Sequence, residues 1–188
     1  MPRNFWMIVG NEENFRITRD LGFRIQGLKA QYRRKIQRIE PGDRILYYVY
    51  GIRRFTATAT ATSSYSEAST PVWQKEGGAG WPYVIHVKPE VVLGEDQYMD
   101  ANLLAPRLEY IRRWPPEDWY MAFNGNLHLL PKGDFLLIEE EMKKLKFGRG
   151  YRRDSVGQAP PPRERPGRPR RRRPAATASA RSGPTPAA

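Results

Sequence analysis

At 188 residues the chain has room for one domain and a tail, and its net charge of +12 makes polyanions, nucleic acid first, the natural partners. The absence of cysteine excludes disulfides, cysteine-ligated zinc, iron–sulfur clusters and thiol catalysis. The charge is unevenly spread. Residues 1–148 carry 21 basic and 18 acidic side chains, whereas residues 149–188 carry 11 arginines against Asp154 and Glu164. That last stretch also holds 8 of the 17 prolines and nothing large and apolar after Val156. It cannot bury enough surface to offset its chain entropy, so residues 149–188 are expected to be a disordered Arg/Pro-rich tail and residues 2–147 the folded domain. Neither a leader pattern nor an apolar run of spanning length is present, and an intracellular, cytoplasmic monomer is expected.

In chain order, Phe5–Gly10 is a continuous apolar run ending in Gly, the pattern of a strand buried on both faces. Asn11 is placed to cap a short helix over residues 14–21, and Gly22 ends it. Residues 22–27 read as a loop with Phe23 between two glycines. Tyr32, Ile36 and Ile39 mark one face of a helix that Pro41-Gly42-Asp43 stops, and residues 44–50 form a strand rich in aromatics. Residues 55–63 alternate Phe or Ala with Thr, the period of a half-buried strand. A glycine-containing loop over residues 65–80 leads to a strand over residues 81–93 that Pro89 bends or confines to an edge.

Asp100 caps a turn through Leu104, and Pro106 opens a helix carrying Leu108 and Ile111. The segment from Trp119 to Phe123 leads into an Asn124-Gly125 turn and a strand over residues 126–130. Asp134 is placed to cap a last helix with Phe135, Ile138, Met142 and Leu145 on one face. Five or six strands without a βαβ alternation, and three or four short helices, predict an α+β fold: a small, mostly antiparallel pseudobarrel with helices packed outside.

The ordered set of pieces resembles the EVE domain family of the PUA-like superfamily, which also includes YTH and ASCH domains. The matching pieces are Phe5-Trp6 ahead of Val9-Gly10-Asn11, Gly22-Phe23 with Gln26-Gly27 and Lys29, and Ile39-Glu40-Pro41-Gly42-Asp43 before Ile45, Tyr47 and Tyr48. Trp81-Pro82-Tyr83, then Trp119 to Phe123 with Asn124-Gly125-Asn126-Leu127, and Gly133-Asp134-Phe135 complete it. The resemblance implies a five- to six-stranded pseudobarrel with a cleft for a flipped nucleobase, and a reader of modified bases, DNA favoured over RNA. It implies no cofactor. Tyr48-Val49-Tyr50 departs from the family's usual polar strand ending, which leaves the identity of the base open.

On that resemblance, Trp6, Gly10, Asn11, Phe23, Tyr48, Val49, Trp81, Phe123 and Asn124 are the candidate lining of the base cleft. Aromatics stack on a base, and amides read its edge. For any single aromatic, a place in the core is the competing reading. Arg24, Lys29, Arg33, Arg34, Arg53 and Arg54 are the candidate phosphate contacts, with a solvated helix face as the alternative for the cluster around Arg33. The tail is expected to add nonspecific affinity for polyanions. His86 and His128 sit in alternating segments without metal-ligand spacing, and no catalytic or metal site is expected. The rival reading is a small ASCH-like amidohydrolase acting on modified cytidines, with Lys29, Tyr48 and a carboxylate in the cleft.

Overall fold

The computed structural model describes residues 4–68, 73 and 80–148. The tail at 149–188 and the glycines of the loop ahead of Gly80 lie outside the described residues. The fold is α+β, built on one curled sheet. Its strands are β1 (Phe5–Gly10), β2 (Ile25–Leu28), β3 (Arg44–Val49), β4 (Arg54–Ala61), β5 (Ser66–Glu67), β6 (Tyr83–Val92), β7 (Met99–Asp100) and β8 (Leu127–Leu129). The order across the sheet is β2-β6-β4-β3-β1-β8, with β5 added to β6 and β7 to β4. All pairings are antiparallel except β1 with β3, which run parallel from Phe5 opposite Arg44 to Gly10 opposite Val49. The helices are α1 (Glu12–Asp20), α2 (Arg33–Ile36), α3 (Ala101–Leu104) and α4 (Lys132–Phe147).

Both faces of the sheet are buried. Inside the curl, Trp6, Ile8, Ile45, Tyr47 and Val49 pack with Phe15 of α1, Phe23, Ile36 and Ile85. On the other face, Phe5, Met7, Val9, Leu46 and Tyr48 pack against Phe135, Ile138 and Met142 of α4, with Trp119 and Phe123. This explains why Phe5–Gly10 lacks alternation: odd and even residues each meet a core. Three alanines of β4, Ala57, Ala59 and Ala61, keep the inner layer thin. Phe55 does not join them. The register with β3 jumps from Ala57 opposite Tyr47 to Phe55 opposite Tyr48, so Thr56 is the extra residue of a β-bulge. The bulge turns Phe55 to the outer core, where the sequence pattern had placed it beside the alanines.

Other differences have similar local causes. The expected loop over residues 22–27 runs into β2, a four-residue strand from Ile25 to Leu28 recruited by pairing with β6. The helix expected before Pro41 is a 3-10 turn, Ala30–Tyr32, followed by the single turn of α2. The helix expected after Pro106 stops as a 3-10 turn at Arg107. Pro89 lies within one continuous β6, at the place where its register with β4 shifts. Asn11 caps α1 as expected, accepting a hydrogen bond from the Asn14 amide at 2.8 Å. Asp134 does not cap α4, which starts at Lys132. Its carboxylate instead accepts from the amides of Glu109 (2.9 Å) and Tyr110 (2.8 Å), tying the preceding loop to the helix. None of the helices among the described residues is long and apolar enough to cross a membrane.

Candidate nucleic-acid interface

Because β1 and β3 are parallel, both end at the same rim, and Val9 and Tyr48 stand side by side there as register partners. The loop from Asn124 to Asn126 folds over that rim. Asn126 holds it in place: its amide donates to the Tyr32 hydroxyl (2.9 Å), its carbonyl accepts from the Val9 amide (2.8 Å), and its side-chain Nδ2 donates to the Val9 carbonyl (2.7 Å). Gly125 has φ of 103° and lies so near Tyr32 that an added Cβ would fall 2.7 Å from the hydroxyl oxygen. No side chain is accommodated there without movement.

His128 supports the same loop from behind. Its Nε2 lies 3.0 Å from the Gly125 carbonyl and its Nδ1 2.9 Å from the Tyr110 hydroxyl. A carbonyl only accepts, so Nε2 carries the proton and Nδ1 accepts from the tyrosine. Burial, with the nearby charge of Lys35 adding to it, holds the imidazole pKa below its ordinary value, which keeps this neutral tautomer.

The loop, Tyr48 and the Ala30–Tyr32 turn enclose a cavity of about 380 Å³. Its aromatic wall is Tyr32, Tyr48, Tyr50, Tyr120 and Phe123. Tyr48 meets Phe123 edge to face, with centroids 4.9 Å apart, which sets the angle of both rings. Burial pushes the Tyr48 hydroxyl up to about 12, against the lowering influence of Arg53, so it stays protonated and able to donate. Two cations reach the wall, Lys29 and Arg53. Arg53 closes the β3–β4 turn with a left-handed backbone, φ 52°, and its guanidinium lies 4.0 Å over the Tyr120 ring. Such a conformation is uncommon outside glycine, and here it brings the side chain over the cavity edge.

Of the residues singled out from sequence, Tyr48, Phe123, Asn124, Lys29 and Arg53 line this cavity. Gly10 and Trp81 line a second, much smaller one of about 20 Å³, which shares Tyr48 and Asn126 with the first. Trp6 lines neither. It is fully buried inside the curl and donates its indole N–H to Asp43 at 2.8 Å, which makes it part of the core and the turn before β3. Phe23 packs there too, between Phe15 and Tyr47, and Val49 faces the same inner core. Asn11 serves α1 as its cap. Arg24, Arg33 and Arg34 are exposed, and Arg54 is ion-paired with Asp100 at the β4–β7 pairing.

Sequence reasoning missed Tyr32, Tyr50, Tyr120, Gly125 and Asn126 as cavity residues. The Asn-Gly dipeptide marked a turn, but nothing local marks the partner of that turn as β1. Trp73 was also missed. It donates to Thr18 at 3.0 Å, and its ring covers Gly27, where any side chain would collide with it. Among the described residues no group of three or more His, Asp or Glu side chains is arranged to hold a metal.

No protein-family model matches the chain, and no curated protein matches it in sequence. Solved structures match it in fold. The YTH domain-containing protein mmi1, solved in complex with RNA, superimposes with a TM-score of 0.56 at 7% identity, over 76% of this chain and 82% of that one. The YTH domain of Zygosaccharomyces rouxii MRB1, solved in complex with N6-methyladenosine RNA, gives 0.54 at 15% identity, over 75% and 87%. A further crystal structure of the Mmi1 YTH domain gives 0.54 at 9% identity, over 76% and 92%. The described chain therefore has the fold of YTH domains, at low sequence identity.

Proposed function

We propose that the folded part is a nucleic-acid-binding module of the EVE type that takes a modified, flipped-out nucleobase into the cavity beside Tyr48. The observation that carries this reading is the composition of that wall. Aromatic rings, hydroxyls and amides surround one space of about 380 Å³, with Lys29 and Arg53 at its edge. Rings supply stacking, which is worth roughly 1–3 kcal/mol per base, and the polar groups supply hydrogen bonds to the base edge. The cations suit the phosphates that flank a base turned out of its strand, and the exposed Arg33 and Arg34 directly follow the Ala30–Tyr32 turn that walls the cavity. The fold shared with YTH domains solved with RNA supports nucleic acid as the partner. Among the described residues no carboxylate lines the cavity. An amidohydrolase using Lys29 would need one to take and return protons, so the wall favours binding over hydrolysis.

The test is a binding panel of single-stranded DNA and RNA oligonucleotides, each in matched modified and unmodified form. At least one modified oligonucleotide is expected to bind more tightly than its unmodified match. Tyr120→Ala is expected to weaken that complex by about tenfold or more. Equal affinities throughout, unaffected by Tyr120→Ala, would refute the reading. DNA was favoured from sequence; the YTH structures solved with RNA make the comparison of both strands part of the test.

A further inference from the structure

We propose that the small cavity behind Tyr48 seats the modification itself, and that the group it takes is a hydroxyl on a one-carbon arm rather than a bare methyl. This rests on the larger cavity being the seat of the base. The small cavity measures about 20 Å³, the size of one water-sized group, and it shares Tyr48 and Asn126 with the larger one. A substituent on a base held against Tyr48 and Asn126 therefore has this space next to it.

The chemistry of the space is specific. Among the described residues, three buried side-chain atoms lack a hydrogen-bond partner: Arg44 Nε, the Tyr47 hydroxyl and Asn126 Oδ1. Two of the three belong to residues that line this one small cavity. Both residues are more than nine-tenths buried, Tyr47 at 3% exposure and Asn126 at 4%. Their roles are fixed. Asn126 Nδ2 donates to the Val9 carbonyl at 2.7 Å, so the unpaired atom is the amide oxygen, an acceptor. Burial pushes the ionisation of the Tyr47 hydroxyl far up, so it remains an O–H. The neighbouring polar side chains on the same wall are already engaged: the Thr18 hydroxyl donates to Gln26 Oε1 (3.2 Å), and Gln26 Nε2 donates to the Gly27 carbonyl (2.8 Å).

One open donor and one open acceptor on residues that line a space of this size match a group that accepts and donates at once. A hydroxyl does both, accepting from Tyr47 and donating to Asn126. A methyl fills the space and leaves both atoms unpaired, at the desolvation cost of each. A formyl oxygen accepts but cannot donate, and a carboxylate sets its charge against the amide oxygen. A hydroxyl brought by the base replaces the water that the same two groups suit in its absence.

The experiment uses the full chain and single-stranded DNA in which one central cytosine carries hydrogen, methyl, formyl or hydroxymethyl at C5. Affinity is read by fluorescence anisotropy with excess unmodified competitor, so that nonspecific binding is common to all four. Hydroxymethyl is expected to bind about tenfold more tightly than methyl, with formyl no better than methyl. Tyr47→Phe keeps the ring and removes only the hydroxyl. It is expected to abolish that preference while leaving the melting temperature unchanged or raised. Methyl binding as tightly as hydroxymethyl would overturn the inference, as would a preference that survives Tyr47→Phe. If methyl and hydroxymethyl both exceed hydrogen equally, the base-reader reading stands and this inference alone fails. If all four bind alike and Tyr120→Ala changes nothing, both fail.

Discussion

The hollow around Trp114 and Trp119 encloses about 480 Å³, against about 380 Å³ beside Tyr48. Both have aromatic walls and a cation, Arg112 in the first and Lys29 with Arg53 in the second. They differ in what else faces the space. Around Trp114 the remaining walls are chiefly aliphatic, from Pro106, Leu108, Ile111 and Pro116, with Asn102 as the side-chain amide. Beside Tyr48 they come from polar residues, four tyrosines with Gln31, Asn124 and Asn126. Size alone selects the larger hollow. The edge of a base, which needs donors and acceptors at fixed positions, selects the smaller one. The positions are fixed because the backbone beneath is tied down, by Asn126 to β1 and by His128 to Gly125.

The sharpest way to break this comparison is to remove one ring from each hollow. Phe123→Ala is expected to cost about 3–5 kcal/mol in urea unfolding and to abolish base binding, since Phe123 is buried against Tyr48, Phe55 and Trp119. Trp114→Ala, at a residue 41% exposed, is expected to cost less than about 1 kcal/mol and to leave binding intact. If the Trp114 change weakened binding more than Tyr120→Ala, the assignment of the two hollows would be reversed.

A second test addresses the His128 support. Because the folded ring has a depressed pKa, the unfolded chain takes up the proton more readily. The stability this ring secures is whole above the ordinary histidine value of 6.5 and declines as the pH falls through it. It stops declining once the folded ring is protonated as well. Urea midpoints measured between about pH 7 and pH 5, before the carboxylates titrate, are expected to fall. Tyr110→Phe is expected to flatten the fall and His86→Asn, at an exposed histidine, to leave it unchanged. An unaltered slope in Tyr110→Phe would remove His128 from the account.

The smallest effects are those of the rim charges. Lys29→Ala is expected to lower the salt slope of binding by about 1, as one phosphate contact does. Arg54→Ala breaks a half-exposed pair with Asp100 and is expected to cost no more than about 1 kcal/mol, with the salt slope unaltered. Equal changes in the two slopes would show that charge near the cavity acts collectively, without a distinct role for Lys29.

Much of the fold was legible because the strands that matter carry their pattern locally. Phe5–Gly10 and Arg44–Val49 are apolar on both faces, and Asn11 stands where a cap belongs. What was not legible depends on partners. Ile25–Leu28 is a strand only through β6, and Phe55 changes faces only because Thr56 is extra in the pairing with β3. The candidate site divides the same way. Tyr48 and Phe123 stood out as aromatics next to turns. Asn126, Tyr32 and Tyr120 gained their place through contacts across the chain that no spacing encodes. Trp6 misled for the opposite reason: its partner, Asp43, is a buried carboxylate that draws the indole inward.

The bond from the Asn126 side chain to the Val9 carbonyl spans 117 positions of the sequence. The parallel pairing of β1 with β3 adds a second long closure before the rim exists at all. Closures of this length are slow to form, and the sheet, which has shorter-range pairings such as β3 with β4, can gain order earlier. The lip of the cavity is thus expected to assemble late in folding, from parts of the chain that lie far apart in sequence. A polypeptide halted before residue 126 lacks it whatever else has folded.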